Sequence, residues 1–130
     1  MATFEAARHK YVSDSVATMS PGHLIVAMYD RVLLDLDRAL TAIGERDVYG
    51  AHTALINAQQ IVDELLASLD LAMWPDGASH AAIYRNVQGR LVDANVRKDP
   101  APVISCRELM LPLRDAWRQA AGLVGTGGAS

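Results

Sequence analysis

Between Leu24 and Ile43, apolar residues return every three or four positions, which is the spacing of one face of an α-helix. Ser20 is suited to cap the start of such a helix, Pro21 fits its first position, and Gly44 is a natural stop. The apolar stripe covers nearly half of the helix circumference, so it must be buried against other elements. The sequence therefore predicts a long amphipathic helix and a fold made by packing helices together.

Three further segments repeat this periodicity, at about 47–71, 78–98 and 101–121. Helix-breaking sequences separate them, since Met73–Gly77 contains a proline and Asp99–Pro100 follows the third segment. Pro112 lies inside the fourth segment, where it predicts a kink. The inward positions predicted for that segment are Val103, Cys106, Leu109, Met110, Leu113, Ala116, Trp117 and Ala120.

The composition favours the same fold class. A chain of 130 residues is large enough for one domain with its own core, and two Trp, four Tyr and one Phe are too few aromatic residues for a β-sandwich. Four amphipathic helices with short connections pack as an antiparallel up-down bundle. We therefore predict an all-α protein, an antiparallel up-down four-helix bundle over 20–121, with an N-terminal arm or short helix at 1–19 and a flexible tail at 122–130.

Charge and cysteine content exclude several classes of protein. The net charge is −3 and no basic run is present, so a nucleic-acid partner is not expected. No apolar run approaches the roughly 20 residues that a membrane-spanning helix needs. Cys106 is the single cysteine and cannot form an internal disulfide, and the N-terminus lacks the apolar region of a signal peptide. We expect a cytoplasmic protein without membrane insertion.

Patterns that carry chemistry are weak throughout. The four histidines lack the paired Glu-x-x-His turns that a carboxylate-bridged metal centre in a bundle requires. His80 begins the third helix but lacks the neighbours of a phosphotransfer histidine, and Cys106 falls on an inward face as a small buried hydrophobe. We therefore predict no catalytic, cofactor-binding or metal-ligating residues, and a protein that is not an enzyme.

Apolar residues outside the predicted core are more informative. The third helix has a second apolar face made of small residues, and the fourth carries Ile104 and Leu111 seven positions apart, away from its inward face. Leu34 and Ile56 lie among polar residues of the first two helices. Single exposed apolar residues are ordinary, and the N-terminal arm is one way to cover them. A contiguous strip predicts a partner helix in a groove. The small face consists of Ala78, Ala81, Ala82, Gly89, Val92 and Val96.

Four segments of the sequence form a pattern of fixed order and spacing. Their residues are Tyr11, Val16, Thr18, Ser20-Pro21, Leu24-Ile25 and Met28-Tyr29; Ala58-Gln59, Ile61-Val62, Glu64-Leu65 and Ser68-Leu69-Asp70; Arg90-Leu91, Ala94-Asn95 and Asp99; and Leu113 to Trp117. Together they resemble the FliS family of flagellin-specific export chaperones, and the resemblance covers about residues 11–120. The third helix of this sequence begins differently, with His80-Ala81-Ala82-Ile83, and Pro112 is not typical of the family.

The resemblance implies a cytoplasmic bundle that holds the disordered C-terminal segment of flagellin and so prevents premature polymerisation before export. It also implies an N-terminal arm that lies over part of the bundle and gives way to the partner, a role we assign to Tyr11 and Val16. Asn95 and Gln59 are amides beside the small-residue strip and can bond an incoming backbone. The partner-binding residues we predict are Tyr11, Val16, Ile56, Gln59, Ala82, Gly89, Val92, Asn95, Val96, Ile104 and Leu111.

The partner and the function each have an alternative. Besides flagellin, components of the export gate and other flagellar regulators are conceivable partners. The alternative function is a structural bundle that self-associates through the same apolar surface, which predicts a homodimer without affinity for flagellin.

Overall fold

The computed structural model describes residues 21–69 and 77–122. Those residues form four helices and no strand, so the predicted all-α class is confirmed. The predicted N-cap Ser20, the arm at 1–19 and the tail beyond Gly122 lie outside the described residues. The helices are α1 (Pro21–Gly44), α2 (Val48–Ala67), α3 (Gly77–Arg97) and α4 (Pro100–Ala120).

The helices are arranged as a ring in chain order. Each packs against the two helices next to it, and α1 closes the ring against α4, while the backbones of the diagonal pairs stay apart. Two ion pairs show the relative direction of α1 and α4, because Arg107 bonds Asp37 and Arg114 bonds Asp30. The residue numbers rise along one helix as they fall along the other, so α1 and α4 are antiparallel. The up-down arrangement follows.

Two aspartates start helices at the short turns of the bundle. Asp47 Oδ1 accepts a hydrogen bond from the Gly50 amide at 2.9 Å and caps α2. Asp99 Oδ1 accepts one from the Ala101 amide at 3.0 Å and caps α4, whose first residue is Pro100. Asp99–Pro100 therefore begins α4 as well as ending α3, since a side-chain acceptor and a residue without an amide proton both suit a helix start.

The core is held together by a polar contact at its centre. The hydroxyls of Tyr29 on α1 and Tyr84 on α3 are 2.5 Å apart, and the indole of Trp117 on α4 bonds Tyr29. Both tyrosines are completely or almost completely buried. Three helices are thus joined by one hydrogen-bonded chain, and the other residues of this core cluster are apolar.

Asp35 is a buried carboxylate that the helical pattern does not anticipate. Its side chain is fully buried on α1, where Arg31 Nε donates to Oδ2 at 3.3 Å and Arg38 lies 3.7 Å from Oδ1. From the residues that the structure describes, Oδ1 accepts no hydrogen bond. Burial raises the pKa of Asp35, and the two guanidinium groups only partly oppose that rise.

Three predicted positions need correction. Ala81 was expected on the small outward face of the third helix but is buried, because it shares a face with Gln88, seven positions later, whose side chain bonds Asp63 of α2. Ala116 and Ala120 were expected inward but are exposed. The Cys106 thiol faces the Val87 carbonyl, so in this antiparallel pair Ala116 is level with Gly77, where α3 begins. From that level onward, α4 has no turn of α3 beside it.

Helix α4 continues through Pro112, whose side chain is exposed. A proline nitrogen cannot donate the usual hydrogen bond to the residue four positions earlier, so the backbone ladder loses one bond there. The kink predicted at this position stays a prediction.

Two glycines should respond in opposite ways to substitution by alanine. A Cβ on Gly50 would come within 2.3 Å of the Asp47 carboxylate and displace the cap, whereas a Cβ on Gly89 would meet no atom of 21–69 or 77–122 within 4 Å. We expect Gly89→Ala to stabilise the fold by about 0.5–1 kcal/mol through helix propensity. Gly50→Ala should fail to stabilise it, because the lost cap costs about 1 kcal/mol. Urea denaturation checks both, and equal gains would contradict the role of the cap.

Alkaline pH should destabilise the bundle through its buried acids. Burial raises the pKa of Tyr29 and of Tyr84, and raises the pKa of the Cys106 thiol to about 12. Each group is kept neutral by the fold, so its contribution is complete below the pKa of the unfolded chain and is lost as pH rises above it. Above about pH 10 the free energy of unfolding should fall by about 1.4 kcal/mol per pH unit for each group.

Denaturation curves between pH 7 and 11 measure this slope. Tyr84→Phe is the control, because removing one titrating hydroxyl should make the slope shallower. A stability that stays constant up to pH 11 would contradict the burial of these groups.

Candidate functional site

The outward face of α3 carries a continuous exposed stripe. Ala82, Gly89, Val92 and Val96 are all exposed, with Val92 at 50% and Val96 at 79%. Their spacing by sums of three and four places them on one side of the helix, together with Ala78. The four predicted residues on this stripe are therefore exposed, as the sequence pattern required.

The stripe borders α2 rather than α4. Gln88 donates to Asp63 of α2, and the amide of Asn95 contacts His52 of α2, so these two residues mark the side of α3 that faces α2. Val92 lies four positions after Gln88 and three before Asn95, which places it just outside that contact line. The exposed stripe consequently begins where α3 meets α2.

Ile56 and Gln59 lie on the opposing side of this boundary. They are half-buried and fall between His52 and Asp63 along the α2 surface that faces α3. Seven of the predicted residues thus lie along one strip of surface where α2 meets α3, which we name the α2–α3 groove. Its residues are Ile56, Gln59, Ala82, Gly89, Val92, Asn95 and Val96.

Polar side chains form hydrogen-bonded pairs along the boundary between α2 and α3, and we call these pairs the floor of the α2–α3 groove. Lys98 Nζ donates to Asn95 Oδ1 at 2.7 Å, which leaves the Asn95 Nδ2 group to donate to His52 Nδ1 at 3.0 Å. In this pair His52 Nδ1 is the acceptor. At the other end of the groove Gln88 bonds Asp63. The floor is polar, but its principal donors and acceptors are already paired.

Ile104 and Leu111 do not join this groove. Ile104 lies three positions before Arg107, which pairs with Asp37 of α1. Leu111 lies three positions before Arg114, which pairs with Asp30 of α1. They therefore lie on the outside of α4 toward α1, on another side of the bundle.

Leu34 is close to them in the antiparallel register. It lies between the two aspartates of α1 and is 42% exposed, while Ile104 is 45% exposed. Leu111 is only partly exposed because it packs against the core. We name this second surface, made by Leu34, Ile104 and Leu111, the α1–α4 face.

Tyr11 and Val16, the two predicted residues of the arm, lie outside the described residues. Their assignment stays a prediction.

Sequence reasoning missed three exposed side chains. Val48 and Tyr49 open α2 at 61% and 80% exposure, and no core pattern includes them. Arg85 is exposed on the outward stripe of α3, three positions after Ala82 and four before Gly89. The same spacing that identified the stripe could have found Arg85, but a search for apolar residues passes over a charge.

A metal site, a membrane span and a nucleophile each place particular requirements on the residues that the structure describes. Within 21–69 and 77–122, no three His, Cys, Asp or Glu side chains cluster closely enough to hold a metal ion. No helix in those ranges is both long and apolar enough to cross a membrane. The Cys106 thiol is buried, and its raised pKa keeps it protonated at neutral pH, which makes it a poor nucleophile.

Comparisons with known proteins agree on one family. The sequence model described as flagellar protein FliS matches residues 4–123. The chain is 34% identical over 110 residues to the flagellar secretion chaperone FliS of Bacillus subtilis (strain 168), which covers 85% of this chain and 82% of the relative. It is 29% identical over 111 residues to the protein of the same name from Escherichia coli (strain K12), with 84% and 82% covered.

Proposed function

Since the chain belongs to the FliS family of flagellar secretion chaperones, which is not a family of enzymes, we propose that it binds the C-terminal segment of flagellin in the α2–α3 groove. Binding in the cytoplasm would keep flagellin from polymerising prematurely and assist its delivery to the flagellar export apparatus. The protein partner itself follows from the family, and the identity of the segment and of the groove is our proposal.

The exposed stripe of α3 is the observation that carries this proposal. Val92 and Val96 expose half or more of their surfaces, although the opposite side of α3 is fully used in the core. An amphipathic client helix laid along the groove would cover these residues, with its apolar positions spaced by three and four. Ala82 and Gly89 allow its backbone to come close.

The hydrogen-bonded pairs at the floor of the groove lower the desolvation cost of such binding. Because Lys98, Asn95 and His52 bond one another, covering them leaves few polar groups without a partner. A disordered segment loses conformational freedom when it binds, and polar groups that are already paired add no further desolvation cost to that loss.

The α1–α4 face would be a second contact for the same client. A long disordered segment can wrap around a small bundle and reach a surface on another side. Ile104 and Leu111 are the residues we assign to this contact, and Tyr11 and Val16 of the arm are assigned to covering part of the bundle until the client replaces them. Export-gate components and other flagellar regulators would contact surfaces that the client leaves free.

The direct experiment is calorimetric titration with purified flagellin, intact and lacking its last few tens of residues. Intact flagellin should bind with a single transition, and the truncated protein should not bind. The isolated C-terminal segment should recover most of the affinity. Undiminished binding of the truncated flagellin would contradict the proposal.

Charged substitutions separate the two surfaces. Val92→Glu should weaken flagellin binding by about tenfold or more, because it introduces a desolvated charge into an apolar contact. Ile104→Glu should weaken it less, since it affects only the second contact. Both side chains are about half exposed, so the melting temperature should change little. A melting temperature lowered by many degrees would show that these residues support the fold instead.

Self-association is the second candidate function, because the exposed apolar stripe suits a second copy as well as a client. Sizing chromatography at micromolar concentration distinguishes the two. A client site predicts a monomer that shifts when flagellin is added, whereas a homodimer unaffected by flagellin would favour self-association.

A further inference from the structure

Arg85 is the single charge on the outward stripe of α3. It follows Ala82 by three positions and precedes Gly89 by four, so its side chain leaves the helix in the middle of the apolar stripe. Arg85 is exposed, and within the described residues its guanidinium has no ion pair and no side-chain hydrogen bond.

The other charges near the α2–α3 groove are occupied. Asp63 accepts from Gln88, Lys98 donates to Asn95, and Asp93 pairs with Arg97 at 3.0 Å. Arg85 is therefore the one charged side chain of this groove, in the part of the chain that the structure describes, that is free to bind an incoming group.

Close approach of a client makes that free charge consequential. A Cβ on Gly89 would meet no atom of the described residues within 4 Å, so those residues leave open space on this side of α3. A helix that filled this space would shield Arg85 from water. A shielded guanidinium without a partner weakens an interface strongly, whereas a matched carboxylate can bond it with two parallel hydrogen bonds.

We propose that the client segment places an Asp or Glu carboxylate against Arg85 when it occupies the α2–α3 groove. This inference rests on the proposed function, because it names one chemical feature of the flagellin segment bound there. Arg85 is then a specificity determinant: it selects an amphipathic helix with an acidic residue among its apolar positions and disfavours a purely apolar or basic one.

Binding of the synthetic flagellin C-terminal segment to three variants tests the inference. Arg85→Gln should weaken binding by about fivefold, and Arg85→Glu by more than about tenfold, since like charges in an interface repel. Arg118→Glu is the matched control, because Arg118 also has no ion pair in the described residues but lies in the last turn of α4. The control should bind as the unchanged protein does, and thermal melting should confirm that each variant is folded.

Changes in the segment identify the partner of Arg85. Replacing each Asp by Asn and each Glu by Gln in turn should reveal one position that weakens binding to the unchanged protein. The same replacement should add little further loss in Arg85→Gln, which is the mark of a direct pair in a double-mutant cycle. Adding salt should weaken the unchanged pair more than the Arg85→Gln complex.

The outcomes separate this inference from the proposed function. If the unchanged protein and Arg85→Glu bind the segment equally well, the inference is wrong and the proposed function stands. If only Val92→Glu reduces binding, the groove is used without the charge contact, and the inference is again overturned. If the unchanged protein does not bind the segment at all, both fail.

Discussion

The hydrogen bond between Tyr29 and Tyr84 is the interaction on which the arrangement of the bundle depends. These residues lie on diagonal helices whose backbones do not approach each other, so their side chains meet across the whole core. Trp117 adds the fourth helix to the same contact. A purely aliphatic core tolerates sliding of one helix along another, because most alternative packings bury similar areas. A buried hydroxyl tolerates it less, because sliding leaves a donor or an acceptor without a partner.

The ion pairs at the surface could not replace this contact. Asp30 and Asp37 are seven positions apart on α1, and Arg107 and Arg114 are seven apart on α4. Shifting α4 by seven residues would still place one arginine opposite an aspartate. These surface pairs therefore orient α4 toward α1 but leave its position along the bundle axis poorly defined. They also contribute little to the free energy of folding. The tyrosine contact defines the position of α3 along the bundle axis relative to α1, and the bond from Trp117 does the same for α4.

Much of this could be predicted from the sequence, and the failures have physical causes. Helical periodicity gave the four elements and the exposed positions of α3, because a 3.6-residue repeat specifies which side chains share a face. It did not give the rotation of each helix relative to its neighbours, and so Ile104 and Leu111 were grouped with residues that lie on another side of the bundle. Ala81 was misplaced for the same reason, since alanine fits both a core and a surface. The burial of Asp35 was missed because apolar periodicity does not report a carboxylate that Arg31 and Arg38 approach. The exposure of Ala116 was missed because it depends on the residue at which α3 begins.

The hydrogen-bonded pairs at the floor of the groove determine what this surface requires of a molecule that covers it. His52, Asn95 and Lys98 bond one another, so they demand no particular polar group from whatever covers them. Whatever lies above these three residues is then constrained in size rather than in its hydrogen-bonding groups, so its sequence can vary there without leaving a polar group of the bundle unpaired.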